Sequence, residues 1–359
     1  MKLKVLGSSS SGNCYLIEAN NNEKLILDAG VNFKIVQKEL NFDFNGIEAV
    51  LITHEHMDHL KYASNFALYG INVYASAGTL KKQNLFGHRF KIIKALQQFE
   101  IGNFIILPFD TQHDAAEPLG FLIQYKPTGE KLMYATDTYY IKYKFNKLNY
   151  LLLECNYNKE IAKENAKNGV INKTRYTRLL ESHFSLENVI KFLKSNDLSY
   201  AKNIVLCHLS DTNSNQTIMQ DKVYEETKIN TTIAKPGLNL ELKLYPFWWR
   251  SYMNSIKAIT QLEELKRDRL SFIQNDESDE IYLKDIKAIS LAIKALKKCP
   301  DIQDKSFNCR MCGKELKTWK SIQKGFGPIC EKRYLNDVYK NQQLTVDTIL
   351  KERRGNDGK

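Results

Sequence analysis

Short apolar runs separated by turn-forming segments recur over roughly the first two thirds of the chain. Runs of this length and pattern predict buried strands, and amphipathic stretches between them predict helices. The predicted strands are residues 2–6, 14–19, 24–27, 49–52, 72–75, 103–108, 120–125, 131–134, 150–154, 203–206, 231–234 and 240–244. The predicted helices are residues 31–40, 62–69, 156–180, 186–194 and 214–228. This order predicts an α/β domain over residues 1–244.

The pattern changes beyond residue 244. An aromatic junction at 245–250 precedes two predicted helices, 251–274 and 280–298, which an acidic segment separates. Ile256, Ile259, Leu262 and Leu265 recur at helical spacing, as in a helix packed on one side. We therefore predict a helical linker at 245–298, a small cysteine-rich module at 299–340 and a polar tail at 341–359.

A histidine-rich segment follows directly on the predicted strand 49–52. It contains His54, His56, Asp58 and His59. Imidazole and carboxylate groups are the usual ligands of zinc and manganese in hydrolytic sites. In an irregular turn at a strand end, His54 and His56 can face one metal while Asp58 and His59 face another. The alternative, a solvated histidine-rich loop, does not account for this order of ligand types.

Further candidate ligands follow later predicted strands in the same way. They are His113, Asp137 and His208. With the His-x-His-x-Asp-His segment they resemble the ligands of the metallo-β-lactamase superfamily. The Gly-Ser-Ser-Ser-Ser-Gly-Asn segment 7–13, with segments 113–118 and 208–210, is similar to the YycJ-like branch of that superfamily. The resemblance covers about residues 1–244 and implies an αββα sandwich of two sheets.

The resemblance also implies a metal arrangement. His54, His56 and His113 would hold one divalent ion, zinc or manganese. Asp58, His59 and His208 would hold the second, and Asp137 would bridge both. Asp28, which directly follows the predicted strand 24–27, would support the histidine-rich segment by hydrogen bonding.

His183 stands apart from this ligand set, in the segment Glu181-Ser182-His183-Phe184-Ser185. A histidine before a helix is often only a cap or a packing residue. In nuclease branches of the superfamily, however, a His-x-Ser/Thr motif at this place supplies a proton to the leaving oxygen. We therefore assign His183 to catalysis, with Glu154 as its orienting partner and Asp58 as a ligand that also belongs to the catalytic group. His88 has no such neighbours and is interpreted as a surface histidine, with a substrate contact as the alternative.

The charge of the chain favours an anionic partner. The net charge is +11, and the predicted helical insertion 156–180 is rich in Lys and Arg. Such a run is usually a solvated face, but this one directly precedes His183. We assign substrate binding to Lys173, Arg175 and Arg178, and to Ser10 and Ser11, whose small side chains let backbone N–H groups approach an anion. A simple turn is the alternative for the two serines.

Cellular location is predicted from what the sequence lacks. We find neither a signal peptide nor an apolar run long enough to span a bilayer. We therefore expect a cytoplasmic protein without membrane partners. Whether it forms a homodimer is left open.

The cysteines near the C-terminus indicate a separate metal site. Cys309 and Cys312 form a Cys-x2-Cys knuckle, Cys330 follows within a Gly-x-Gly-Pro-x-Cys segment, and Cys299 is available as a fourth thiolate. Four thiolates close a tetrahedral structural zinc site. The segment resembles a cysteine-rich module of phage-encoded proteins. Chance placement of the cysteines is the alternative.

Together these patterns predict a metal-dependent phosphodiesterase, most specifically a nuclease such as a DNA exonuclease. The first alternative is a cyclic-nucleotide phosphodiesterase of the phage anti-defence type. The second is a non-enzymatic nucleic-acid-binding module in which the zinc knuckle makes the contact. The complete ligand set argues against the second alternative.

Overall fold

The computed structural model describes residues 1–19, 21–242, 247–271 and 279–297, together with residues 314–316, 321, 327–330 and 332–333. The chain divides into two compact units at Leu244. None of the helices in the described ranges is long and apolar enough to cross a lipid bilayer.

The strands of the first unit are β1 (Lys2–Ser9), β2 (Gly12–Glu18), β3 (Lys24–Leu27), β4 (Ile47–Leu51), β5 (Val73–Ser76), β6 (Phe90–Ile93), β7 (Phe99–Ile101), β8 (Phe104–Asp110), β9 (Leu119–Tyr125), β10 (Glu130–Ala135), β11 (Tyr150–Glu154), β12 (Asn203–Cys207), β13 (Asn230–Ile233) and β14 (Asn239–Glu241). Its helices are α1 (Phe33–Glu39), α2 (Met57–Leu60), α3 (Ala63–Leu68), α4 (Ala77–Lys82), α5 (Lys159–Lys167), α6 (Lys173–Ser182), α7 (Leu186–Ser195) and α8 (Gln216–Thr227).

These strands form two seven-stranded sheets. One has the order β14-β1-β2-β3-β4-β5-β6 and the other β13-β12-β11-β10-β9-β8-β7. In each sheet an antiparallel part continues into a parallel part, β3 to β6 in the first and β10 to β13 in the second. The carboxyl ends of parallel strands lie on the same edge of a sheet, so the loops that leave them can meet there.

Strand alternation builds three layers of core. In β2, Tyr15 and Ile17 belong to the core between the sheets, whereas Cys14 and Leu16 pack with α1 and α3 on the outer face. The second sheet packs its outer face against α7 and α8. Both faces of the strands are buried, which explains why the runs read as continuously apolar rather than alternating. The predicted αββα sandwich is therefore confirmed.

Some element boundaries were predicted wrongly. Residues 7–13 were expected to be a loop, yet the β1–β2 ladder resumes after a bulge and continues to Ser9 and Gly12, which leaves only a tight turn. The insertion 156–180 is two helices instead of one, because Gly169 has a φ of +74° and the side chain of Asn172 caps α6. The pattern also missed α2, α4, β6 and β7, which are too short to show a period.

The second unit contains α9 (Phe247–Ser271) and α10 (Asp279–Lys297). Lys297 Nζ lies 2.9 Å from Glu263 Oε1, and Arg269 Nε lies 3.2 Å from Asp285 Oδ2. The partners run in opposite directions along the chain, so the two helices are antiparallel. Two helices are therefore present where helices 251–274 and 280–298 were predicted, and α9 already includes residues assigned to the aromatic junction.

Candidate metal centre

The predicted ligands gather where strands of both sheets end. His54 and His56 follow β4, His113 follows β8, Asp137 follows β10 and His208 follows β12. Residues far apart in the chain thus meet because their strands end at one edge of the sandwich.

The two halves of the histidine-rich segment differ in backbone conformation. Residues 53 and 54 have no regular secondary structure and residues 55 and 56 form a bend, whereas Asp58 and His59 lie in the one-turn helix α2, so the expected irregular turn is wrong for this second half. The change of conformation at His56 directs the two pairs of side chains to different groups.

Two sets of potential ligand atoms meet at Asp137. In the first, ligand atoms of His54, His56, His113 and Asp137 all lie within 4.8 Å of one another. In the second, the same limit holds for Asp58, His59, His208 and Asp137. The carboxylate of Asp137 therefore lies between two groups, in the arrangement a bridging ligand requires. A third set within this limit combines Asp137 and His208 with Glu154 and His183.

The contacts of His113 and His208 indicate which of their nitrogens can bind a cation. His113 Nδ1 lies 3.0 Å from the carbonyl oxygen of Ser182, which only accepts, so Nδ1 carries the proton and Nε2 holds a lone pair. That Nε2 lies 3.1 Å from His56 Nδ1, which in turn lies 3.0 Å from His54 Nε2. In the second set, the buried His208 Nε2 has no hydrogen-bond partner. Converging lone pairs and an unpartnered buried nitrogen fit a metal centre.

The pKa shifts of three histidines report the electrostatic surroundings of the same site. Burial, together with the neighbouring His59, lowers the pKa of His54 well below its ordinary value, and burial likewise lowers the pKa of His113. Both are thus held as the neutral imidazoles that bind metals. For His59, burial is outweighed by the carboxylates of Asp137 and Asp28, so its pKa lies well above the ordinary value. The second set therefore favours positive charge at its centre.

Asp28 supports the histidine-rich segment through hydrogen bonds. Thr53 donates to Asp28 Oδ1 from its backbone N–H at 2.8 Å, and Tyr134 Oη donates to Oδ2 at 2.6 Å. His59 Nδ1 lies 2.7 Å from Oδ2, which leaves the other nitrogen of this imidazole to face the second set. Asp28 was predicted for this role from the resemblance. Thr53 and Tyr134 were missed, although the position of Thr53 just before His54 was a usable signal.

The β1–β2 hairpin also contacts the site. Asn13 Nδ2 lies 3.1 Å from His59 Nε2, and the backbone N–H of His208 donates to Ser8 Oγ at 3.0 Å. Close packing continues at Gly30, where a Cβ would lie 1.7 Å from the backbone oxygen of Asp58. The resemblance implied that segment 7–13 lies near the metal site, but the individual contacts of Asn13 and Ser8 were not predicted, because nothing local to the hairpin indicates what it touches across the fold.

Site residues share an unusual backbone conformation. Asp28, Asp137 and His208 have φ angles of 59°, 47° and 52°. Such angles are uncommon for residues other than glycine and are retained where surrounding contacts hold them. Each follows closely on a strand, so the turn redirects the chain and places the side chain in the site.

His183 and Glu154 form the predicted pair. His183 Nδ1 lies 2.7 Å from Glu154 Oε1, and the same oxygen lies 3.2 Å from His208 Nδ1. Burial acts to lower the pKa of His183, but Glu154 outweighs it and raises that pKa above its ordinary value. His183 ends α6 and precedes α7, which Ser185 caps. Glu154 thus links the imidazole of His183 to the proposed second ligand set.

A cleft of about 530 Å³ opens over these groups. His56, Asp58, His113, Asp137, His183 and His208 all line it. Of the predicted substrate-binding residues, Ser10, Arg175 and Arg178 line it as well, whereas Lys173 lines an adjacent cavity. Ser11 lines neither cavity and contacts Ser9 in the hairpin turn. His88 is exposed, as predicted.

The cysteine module is only partly described. Cys330 is buried. Cys299, Cys309 and Cys312 lie outside the described residues, so the predicted zinc site stays a prediction.

Curated relatives carry nuclease names. Exodeoxyribonuclease YycJ of Bacillus anthracis is 31% identical over 153 residues, which are 39% of this chain and 56% of that protein. The match thus spans little more than half the length of this relative. Exodeoxyribonuclease WalJ of Streptococcus pneumoniae is 26% identical over 260 residues, which are 68% of this chain and 93% of that protein.

Structure and family comparisons agree on the fold. The crystal structure of the metallo-β-lactamase fold protein YhfI from Bacillus subtilis superposes with a TM-score of 0.51 at 16% identity, over 67% of this chain and 99% of that one. Residues 306–335 match a family of unknown function, DUF6011. Residues 23–209, more than half of the chain, match the beta-lactamase superfamily domain. The chain therefore belongs to the metallo-β-lactamase superfamily.

Proposed function

We propose that this chain is a metal-dependent nuclease, and specifically a DNA exonuclease. The observation that carries the proposal is Asp137, whose carboxylate joins two sets of ligand atoms beside the His183–Glu154 pair. The names of the YycJ and WalJ relatives support deoxyribonuclease activity. The net charge of +11 is consistent with a polyanionic substrate.

The proposed ligands follow the two sets. His54, His56 and His113 would hold one divalent ion, Asp58, His59 and His208 would hold the other, and Asp137 would serve both. Two such ions, zinc or manganese, would acidify a water molecule for attack at phosphorus and neutralise charge on the phosphoryl oxygens. Asp28 and Thr53 keep the imidazoles in the orientation that binding needs.

His183 supplies the proton that the departing oxygen requires. Glu154 accepts from its Nδ1 and keeps the imidazolium form accessible, which leaves the other ring nitrogen to act as general acid. Arg175 and Arg178 line the same cleft and offer donors to phosphate oxygens. Ser10, at the hairpin turn, also lines this cleft.

A substrate panel tests this function. Purified full-length protein with zinc or manganese is offered end-labelled DNA, RNA and cyclic nucleotides in parallel. The cyclic nucleotides belong in the panel because a cleft of about 530 Å³ is large enough for a single nucleotide. We expect DNA to be shortened from an end. Hydrolysis of cyclic nucleotides with DNA left intact would replace the nuclease proposal by the cyclic-nucleotide alternative.

We propose a separate structural role for the C-terminal cysteines. Cys299, Cys309, Cys312 and Cys330 would bind one zinc ion and stabilise the small module around it. The spacing of Cys309 and Cys312 and the burial of Cys330 support this proposal.

A further inference from the structure

A second cavity, of about 690 Å³, adjoins the metal cleft. His113 and Arg178 line both spaces, so the two are neighbours across these side chains. A substrate that extends from the metal centre past Arg178 would therefore enter the second cavity. A single cyclic nucleotide needs only the first.

The charges of the second cavity balance. Lys173 and Arg178 contribute positive charge, while Asp114 and Glu181 contribute negative charge. Arg178 Nε also lies 2.9 Å from Asp114 Oδ2, so part of the positive charge is already paired. A balanced lining does not select a phosphate. It suits a neutral, flat group with hydrogen-bonding edges.

Tyr139 supplies an aromatic wall for such a group. Tyr139 lines the cavity and is 38% exposed, although a large aromatic side chain is stabilised by burial. Aromatic rings offered in this way stack on nucleobases, and the contact tolerates any base because every base has a π-face. Gln112, Thr174 and Thr177 provide polar groups around it.

The backbone of Tyr139 is fixed relative to the catalytic residues. Its N–H donates to the carbonyl of Gln112 at 3.2 Å, and its carbonyl accepts from Asn188 Nδ2 at 3.3 Å. The preceding residue, Thr138, donates its N–H to Glu154 Oε2 at 2.9 Å. Glu154 also binds His183. Tyr139 is therefore the direct neighbour in the chain of a residue that is hydrogen-bonded to the partner of the proposed general acid. These bonds fix the backbone of Tyr139 relative to the proposed general acid.

We propose that the second cavity is a base-stacking subsite for single-stranded nucleic acid. The nucleotide next to the scissile phosphate places its base against Tyr139, while the scissile phosphate lies in the metal cleft. A substrate that occupies both the metal cleft and this subsite is a strand of at least two nucleotides. This inference rests on the proposed nuclease function and names the form of its substrate.

Binding of a hydrolysis-resistant strand tests the subsite. The probe is a six-nucleotide phosphorothioate DNA with 2-aminopurine placed at successive positions, mixed with the full-length protein. The fluorescence of 2-aminopurine responds to stacking, so one position should change strongly on binding. Tyr139→Ala should abolish that change and weaken binding roughly 5–100-fold, the usual worth of one stacked base. Tyr139→Phe should preserve both.

Two controls separate stacking from general damage. Tyr224 is also half-exposed but lines neither cavity, so Tyr224→Ala should bind the strand as the unmodified protein does. A nitrophenyl ester of a single nucleotide has no neighbouring base, so Tyr139→Ala should hydrolyse it at the unmodified rate. Unchanged strand binding and fluorescence in Tyr139→Ala, or an equal loss on the nitrophenyl ester, would overturn the subsite. Failure of the nuclease proposal would appear separately, as uncut DNA and RNA with unmodified protein.

Discussion

The Nδ1 atom of His183 lies 2.7 Å from Oε1 of Glu154. This contact orients the imidazole and, through the negative charge of Glu154, raises its pKa. Two roles are compatible with this position. His183 is the proposed general acid, and it also belongs to the third set of potential ligand atoms. Proton donation and metal binding predict different consequences for the same substitution.

We predict that His183→Ala keeps its metal content and loses roughly 10²–10⁴ in turnover on DNA, the usual worth of a general acid. The loss should shrink on a nitrophenyl phosphodiester, whose leaving group needs no proton. Metal analysis and rates on both substrates check this. His88→Ala, at an exposed histidine, serves as the control. Loss of metal from His183→Ala would show instead that the residue is a ligand.

A substitution at Asp28 tests whether its hydrogen bonds support the proposed metal ligands. Asp28→Asn keeps the side-chain shape, and asparagine tolerates the positive φ of this position. Its amide must turn a donor either toward Tyr134 and His59, which both donate to Oδ2, or toward the backbone N–H of Thr53, which donates to Oδ1. We predict roughly 10–100-fold weaker metal binding, measured by competition with a chromogenic chelator. The exposed Asp43→Asn should bind metal normally, and normal affinity in Asp28→Asn would contradict the role of this network.

Lys131 gives a prediction about stability that is independent of the site. Burial, with a smaller effect from Lys147, lowers its pKa to about 8. The folded chain therefore buries a charge below pH 8, and this cost disappears as the pH rises from about 8 toward the unfolded value near 10.4. Lys131→Met should raise the free energy of unfolding by about 1–3 kcal/mol at pH 7 and by less at pH 10.

Denaturant unfolding at both pH values measures the Lys131 effect. Lys144→Met, at an exposed lysine, controls for the loss of one positive charge. An equal gain at pH 7 and pH 10 would mean that hydrophobic packing, and not charge burial, causes the stabilisation.

Sequence patterns identified the candidate ligands that the fold brings together, because the order and positions of these residues are local properties. His54, His113, Asp137 and His208 each follow an apolar run, and parallel strands bring such ends together. The contacts of Ser8, Asn13 and Tyr134 could not be predicted in this way, since they join segments with no shared local pattern. The left-handed backbone of Asp137 and His208 was equally hidden, because surrounding contacts impose it on residues that do not favour it.

The C-terminal module is tested through its proposed zinc. Replacing Cys309 and Cys312 by serine should remove one zinc per chain and expose residues 299–340 to protease, because a closed zinc site supplies folding energy to a small module. The hydrolytic activity of residues 1–244 should persist. Unchanged zinc content and unchanged protease resistance would show that these cysteines do not form a metal site.

The most direct test of the central proposal is the time course of nucleotide release from end-labelled DNA. Unmodified protein with zinc or manganese should shorten the strand from an end. Asp137→Ala should release nothing and lose metal from both sets, because one carboxylate serves both. Asp211→Ala, in the same cleft but outside the ligand sets, should cut normally. An intact strand with the unmodified protein, or equal release by Asp137→Ala, would contradict a nuclease built on this centre.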